Sequence, residues 1–147
     1  MILLHTFCSL LSYGAFLIAF VVGCLFLLQE WQLKHKQMGW WFHRLPALKT
    51  LDQVNLVAIG IGFGLLSLGL AFGMVGSRRL LGTWWRGDSK ELLTVALWAS
   101  YLVLWIVRLR ATLRGRKVAL LSILGFSLVL FTFLGVSRWL PTWHSYL

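Results

Sequence analysis

An all-α polytopic membrane protein is the fold class this sequence predicts: a bundle of four transmembrane helices joined by short loops. Two observations predict it. Charged residues make up only 12% of the chain and apolar residues 59%, whereas a soluble domain needs about 25% charged residues to wet its surface. The charges are also segregated. Residues 1–29, 53–77, 92–107 and 118–137 contain no Asp, Glu, Lys or Arg. A spanning helix needs about 20 mostly apolar residues to cross about 30 Å of hydrocarbon.

The expected spans are 3–28, 54–75, 92–107 and 118–136, within a single membrane domain over 1–147. The third is the shortest, with 16 uncharged residues. It reaches both interfaces if Lys90 and Arg108 snorkel from its ends. The first stretch lacks the basic n-region of a signal peptide and exceeds a typical h-region, so a retained anchor is expected. Cys8 and Cys24 both fall in the first span, too far apart on a helix to bridge, and read as small apolar residues.

The net charge of +10 invites a nucleic-acid reading, which the placement of the charges excludes. The basic residues lie in connections between spans, where they set orientation and meet anionic lipid headgroups. Lys34, Lys36, Arg44, Lys49, Arg108, Arg110, Arg114, Arg116 and Lys117 fall on one side. Arg78, Arg79, Arg86, Lys90 and Arg138 fall on the other. The positive-inside rule places the larger group in the cytoplasm and both termini outside, in a multi-pass protein of the cytoplasmic (inner) membrane.

The second span reads GIGFGLLSLGLAFGMVG. Gly60 with Gly64, and Gly69 with Gly73, are small-xxx-small pairs of the kind that let helix backbones approach closely. Tight bundle packing is their expected role. Trp31, Trp40, Trp41, Trp84, Trp85, Trp139 and Trp143 cluster near span ends, as an interfacial aromatic belt does.

One constellation points to chemistry. Four spans return His5 and His144 to one face, where the connection GTWWRGDSKE over residues 82–91 also lies. Two imidazoles satisfy a six-coordinate haem iron, indole stacks on a porphyrin, and arginine binds propionates through paired donors. The competing reading makes both histidines ordinary interfacial residues. His35 and His43, in the first basic connection, read as charge tuning in a solvated loop. No paired-carboxylate site, zinc spacing, P-loop or nucleophile motif is present, so no enzymatic activity is expected.

These segments in their order resemble the cytochrome c assembly proteins of the CcmC/CcsA type, with the branch that includes HemX and YpjD nearest. The resemblance covers His5, then SYGAFLIAFVVGCLFLLQEWQLK, RLPALKTLDQVN, the glycine-rich span, and WWRGDSKELL onward to HSY. It matches the C-terminal part of relatives that carry further N-terminal spans. It implies a tryptophan-rich outer loop, flanked by His5 and His144 as axial ligands, that holds haem b transiently. Trp84, Trp85 and Asp88 would lie in that site. It also implies delivery to apocytochrome c, or to another cytochrome c assembly membrane protein. The family loop pattern W-x-W-D-P-K-E falls on residues 85–91. There Trp85, Asp88, Lys90 and Glu91 match, Gly87 stands for a tryptophan and Ser89 for the proline. Some relatives carry a histidine shortly before the arginine matched by Arg108; here that neighbourhood is Trp105, Ile106 and Val107. The altered loop keeps a second reading open, a membrane scaffold or accessory subunit that does not bind haem.

Overall fold

The computed structural model describes residues 2–36, 39–40, 42–82, 84, 87, 89–109 and 115–131. Four helices follow in order: α1 (Ile2–Lys34), α2 (Leu48–Leu81), α3 (Ser89–Leu109) and α4 (Arg116–Leu130), with a 3₁₀ turn at Phe42–Arg44 between α1 and α2. No strand occurs among the described residues. Three helices contain stretches long and apolar enough to cross a membrane, Leu3–Lys34, Leu48–Leu80 and Glu91–Leu109. The described part of α4 covers the start of the expected fourth span; residues 132–136 lie outside the described residues.

The first two helices outrun their uncharged stretches. At 1.5 Å per residue each is about 50 Å long, against about 30 Å of hydrocarbon. Charge ends an apolar span, but it does not end a helix. Beyond Leu28, α1 continues through good helix formers, with Lys34 Nζ 3.3 Å from Glu30 Oε1 one turn earlier. It stops where Lys36 takes a left-handed φ of 52°. Pro46, which disfavours helical backbone at the residue before it, bounds α2 at its start. Gly82 closes it with φ 72° and an N–H donated to Arg78 O at 2.9 Å, the left-handed cap that glycine adopts without steric cost.

The α1–α2 pair forms the most extensive interface, antiparallel along its length. The α2 glycines decide how close it is. A Cβ at Gly62 would stand 2.5 Å from the Phe16 ring, and one at Gly60 would stand 2.5 Å from Trp105 on α3. Gly64 has nothing within 4 Å of such a Cβ, so the expected Gly60–Gly64 pair seats a helix through Gly60 alone among the described residues. Phe16, Ile59, Leu66, Leu97, Tyr101 and Val118 fill the centre, where Phe16 and Tyr101 stack with ring centroids 3.7 Å apart. Leu10, Ile61, Val103 and Leu124 remain exposed around the outside. That distribution suits a solvent of lipid tails, where helix association rests on close packing and interhelical hydrogen bonds.

Two polar junctions cross the bundle. Asn55 Nδ2 donates to Ala19 O at 2.8 Å, and the buried Ser122 hydroxyl lies 3.2 Å from Asn55 Oδ1 and 2.9 Å from Val118 O. This network joins α1, α2 and α4. Asn55→Ala is expected to destabilise the bundle by about 1 kcal/mol, the scale of interhelical hydrogen bonds in membranes. Reversible unfolding in mixed micelles measures it, and an unchanged midpoint would remove the network from the list of stabilising contacts.

The second junction corrects an expectation. Arg108 does not snorkel outward. It turns into the bundle, buried to 7% exposure, with Nη2 2.6 Å from Asp52 Oδ2 and 3.0 Å from Asp52 O. Asp52 Oδ1 also accepts the Gly115 N–H at 3.4 Å. One carboxylate therefore ties the start of α2 to the end of α3 and the start of α4. The pairing fits the physics: an arginine near the end of an apolar helix either reaches water or finds a counter-charge, and Asp52 supplies one.

Candidate functional site

The far end of the bundle from Arg108 carries the candidate site. His5 sits in the first turn of α1, and its Nδ1 is 2.7 Å from Gly69 O of α2. A carbonyl oxygen only accepts, so Nδ1 carries the hydrogen. In the neutral imidazole this leaves Nε2 with the lone pair. The orienting acceptor is a backbone atom, reachable because α2 is glycine at this level. A Cβ at Gly73 would lie 2.9 Å from His5 Nδ1 and 3.1 Å from Cε1, and one at Gly69 would lie 2.9 Å from Ser9 Oγ. The Gly69–Gly73 pair does pack helices, as its spacing predicts, and what it packs against includes His5.

Arg78 lies in the last turn of α2. It is about 7.5 Å along the helix axis from Gly73, at 1.5 Å per residue. Its guanidinium stands 4.2 Å over the ring of Trp84, which is about half exposed. This cation–π contact fixes Trp84 at the His5 end of the bundle. His5 and Trp84 are thus both positioned by α2. Trp85, Asp88 and His144, together with Arg86 and Arg138, lie outside the described residues.

Gly87, where the loop pattern has tryptophan, adopts φ 73°. A side chain there would strain the backbone by about 1–2 kcal/mol. Its N–H donates to Glu91 Oε2 at 3.2 Å, which ties the loop to the first turn of α3. The departure at this position is therefore matched by a local backbone that suits glycine.

At the opposite end, His35 Nδ1 lies 2.9 Å from Trp31 O and the two rings pack at 4.6 Å, an arrangement that closes α1. Among the described residues no three His, Cys, Asp or Glu side chains are grouped to hold a metal ion. Both cysteines are free. A half-open apolar cavity of about 190 Å³ lies between α3 and α4, lined by Tyr101, Leu104, Leu121 and Gly125 among others.

The profile of the family described as cytochrome C assembly protein matches residues 1–144. The chain belongs to the cytochrome c assembly protein family. Among its relatives, the "Cytochrome c biogenesis protein CcsA" of Guillardia theta is 29% identical over 160 aligned positions, which take in 99% of this chain and 53% of that protein. The protein of the same name from Prochlorococcus marinus (strain MIT 9301) is 41% identical over 98 positions, covering 67% of this chain and 32% of that protein. The Chlamydomonas reinhardtii protein of that name is 29% identical over 145 positions, 99% of this chain and 40% of its own length. The chain thus spans about half, or less, of the length of these cytochrome c assembly relatives. No solved structure matches it.

Two features of the candidate site escaped sequence reasoning. The i, i+4 glycine spacing marks a close helix contact, but not that a histidine lies across from it. Arg78 was among the outer arginines, but its pairing with Trp84 depends on how the chain turns after Gly82.

Proposed function

We propose that this chain is a haem-holding membrane protein of cytochrome c assembly. It binds haem b transiently at the His5 end and presents it to apocytochrome c or to another assembly membrane protein. The observation that carries the reading is the hydrogen bond from His5 Nδ1 to Gly69 O. Histidines that ligate metals characteristically donate their other ring N–H to a carbonyl or carboxylate, which fixes the tautomer and orients the ring. His5 has this arrangement in a membrane helix, at the same end of the bundle as a partly exposed tryptophan held by an arginine.

The donor set fits haem. His5 and His144 would supply axial nitrogens, Trp84 and Trp85 an apolar flat surface, and Arg78 a donor for a propionate. Asp88 belongs to the same loop. Haem, when bound, supplies the iron centre and is itself the cargo. The chain's residues bind and orient it and catalyse no bond change. In this reading the His5 end faces outward from the cytoplasmic membrane, with both termini outside, as the distribution of Lys and Arg supports.

An absorption spectrum of the protein purified from haem-sufficient cells tests the proposal. A Soret band with low-spin, bis-imidazole features is expected. His5→Ala should remove the low-spin signature, because one axial ligand is lost. An unchanged spectrum in the joint His5→Ala, His144→Ala variant would eliminate these ligands. Absence of haem from the wild-type protein would favour the scaffold reading.

A further inference from the structure

The structure assigns a positioning role to Gly69 and Gly73: they form a seat on α2 that selects Nε2 of His5 as the nitrogen open to a ligand. The inference rests on the haem reading for the identity of that ligand, and on the α1–α2 contact alone for how the imidazole is held.

The seat has two parts. Gly69 provides the acceptor, its carbonyl oxygen, 2.7 Å from Nδ1. That oxygen lies inside α2, where the helix also directs the Gly73 N–H at it. A carbonyl has two lone pairs, so it accepts both donors. Gly73 provides the space. A Cβ there would stand 2.9 Å from Nδ1 and 3.1 Å from Cε1, inside van der Waals contact with the imidazole edge. One turn further along α1, Ser9 and Cys8 lie against Gly69, 2.9 Å to Ser9 Oγ and 3.6 Å to Cys8 Cβ from the position of a Cβ there. The backbones therefore stay close for the length of the seat. His5 and Ser9 are one turn apart on α1, and Gly69 and Gly73 are one turn apart on α2, so the two i, i+4 pairs face each other.

The chemical consequence follows from the donor rule. Hydrogen on Nδ1 leaves the Nε2 lone pair for coordination, and a hydrogen bond at Nδ1 raises the basicity of the ligating nitrogen. A more basic axial imidazole stabilises ferric over ferrous iron and lowers the reduction potential. Replacing Gly73 with any larger residue pushes the ring off Gly69 O, and both effects disappear together.

Two measurements test the seat, with Gly62→Ala as the packing control, since it strains the α1–α2 contact at Phe16, away from His5. The first uses haem-free protein in lipid nanodiscs with ¹⁵N-labelled histidine, the His5 signals being those missing from His5→Ala. Wild type and Gly62→Ala should show hydrogen on Nδ1 and a bare Nε2, and Gly73→Ala should lose that preference. The second uses haem-loaded protein. Gly73→Ala should raise the reduction potential and speed haem loss to apomyoglobin by about tenfold or more, the scale on which ligand-orienting partners act. Gly62→Ala should leave the potential in place.

Hydrogen on Nε2 in the wild-type protein overturns the seat even if Gly73→Ala does not fold. So does a potential that moves equally in Gly62→Ala. If haem binds through His5 while Gly73→Ala changes neither tautomer nor potential, the seat fails and the haem reading stands. If the tautomer switches with Gly73→Ala but wild type takes up no haem, the haem reading fails and the seat is supported.

Discussion

Asp52→Ala is expected to destabilise the protein by about 3 kcal/mol, the lower end of the cost of breaking a buried ion pair by removing one partner. The Arg108 side chain is 5% exposed and that of Asp52 25%. Truncating Asp52 leaves the guanidinium buried with the backbone carbonyl of residue 52 as an acceptor, while Nη1 is already buried without a hydrogen-bond partner. It also removes the acceptor for the Gly115 N–H. The partial exposure of Asp52 lets some water in, which sets the figure at the lower end. Arg108→Leu added to Asp52→Ala should recover part of the loss, because no buried charge then remains without a counter-charge. Glu30→Ala is the contrast. Its pair with Lys34 is half exposed on the lysine side, and such i, i+4 pairs contribute only about 0.3–0.5 kcal/mol. Unfolding midpoints in mixed micelles compare the three variants. Equal losses for Asp52→Ala and Glu30→Ala would show that water reaches Arg108 freely.

Gly62→Leu is expected to disrupt the α1–α2 interface, and even Gly62→Ala should destabilise it by about 1–3 kcal/mol through overpacking. The Cβ alone would lie 2.5 Å from Phe16 Cε1. Phe16 is fully buried and stacked on Tyr101, so its ring can yield only by displacing its neighbours. Alanine gains about 1 kcal/mol over glycine in helix propensity, and the clash outweighs that gain. At Gly64 the sign reverses. Nothing stands within 4 Å of an added Cβ, so Gly64→Ala should be neutral or stabilising by up to about 1 kcal/mol. Two glycines about half a turn apart on α2 thus predict opposite outcomes in one unfolding assay. A destabilised Gly64→Ala would show that a further surface covers that face.

The helical class and the places of the first three spans are readable from the sequence because the relevant signal is one-dimensional. An uncharged run of sufficient length must be helical to satisfy its backbone in lipid. The helix ends were less readable. The sequence criterion was charge, whereas the chain stops its helices at backbone features: φ 52° at Lys36 and φ 72° at Gly82. Of the site, His5 and Trp84 were readable as residue types near span ends. Their supports were not, because Gly69 lies 64 positions from His5, and which face of α2 meets α1 is a matter of rotation about the helix axis.

By itself, the sequence determined that this chain is a helical membrane protein with one end more basic than the other and with tryptophan and histidine near both. Hydrocarbon thickness and the cost of burying charge act on composition alone. Only the tertiary structure decided that Arg108 turns inward to Asp52 rather than outward to water, that Gly62 is filled by Phe16 while Gly64 is open, and that Gly69 accepts the hydrogen of His5. Each of these depends on the rotation and register of one helix against another. Those are set by how side chains interlock across the interface, and that information is distributed over residues far apart in the chain.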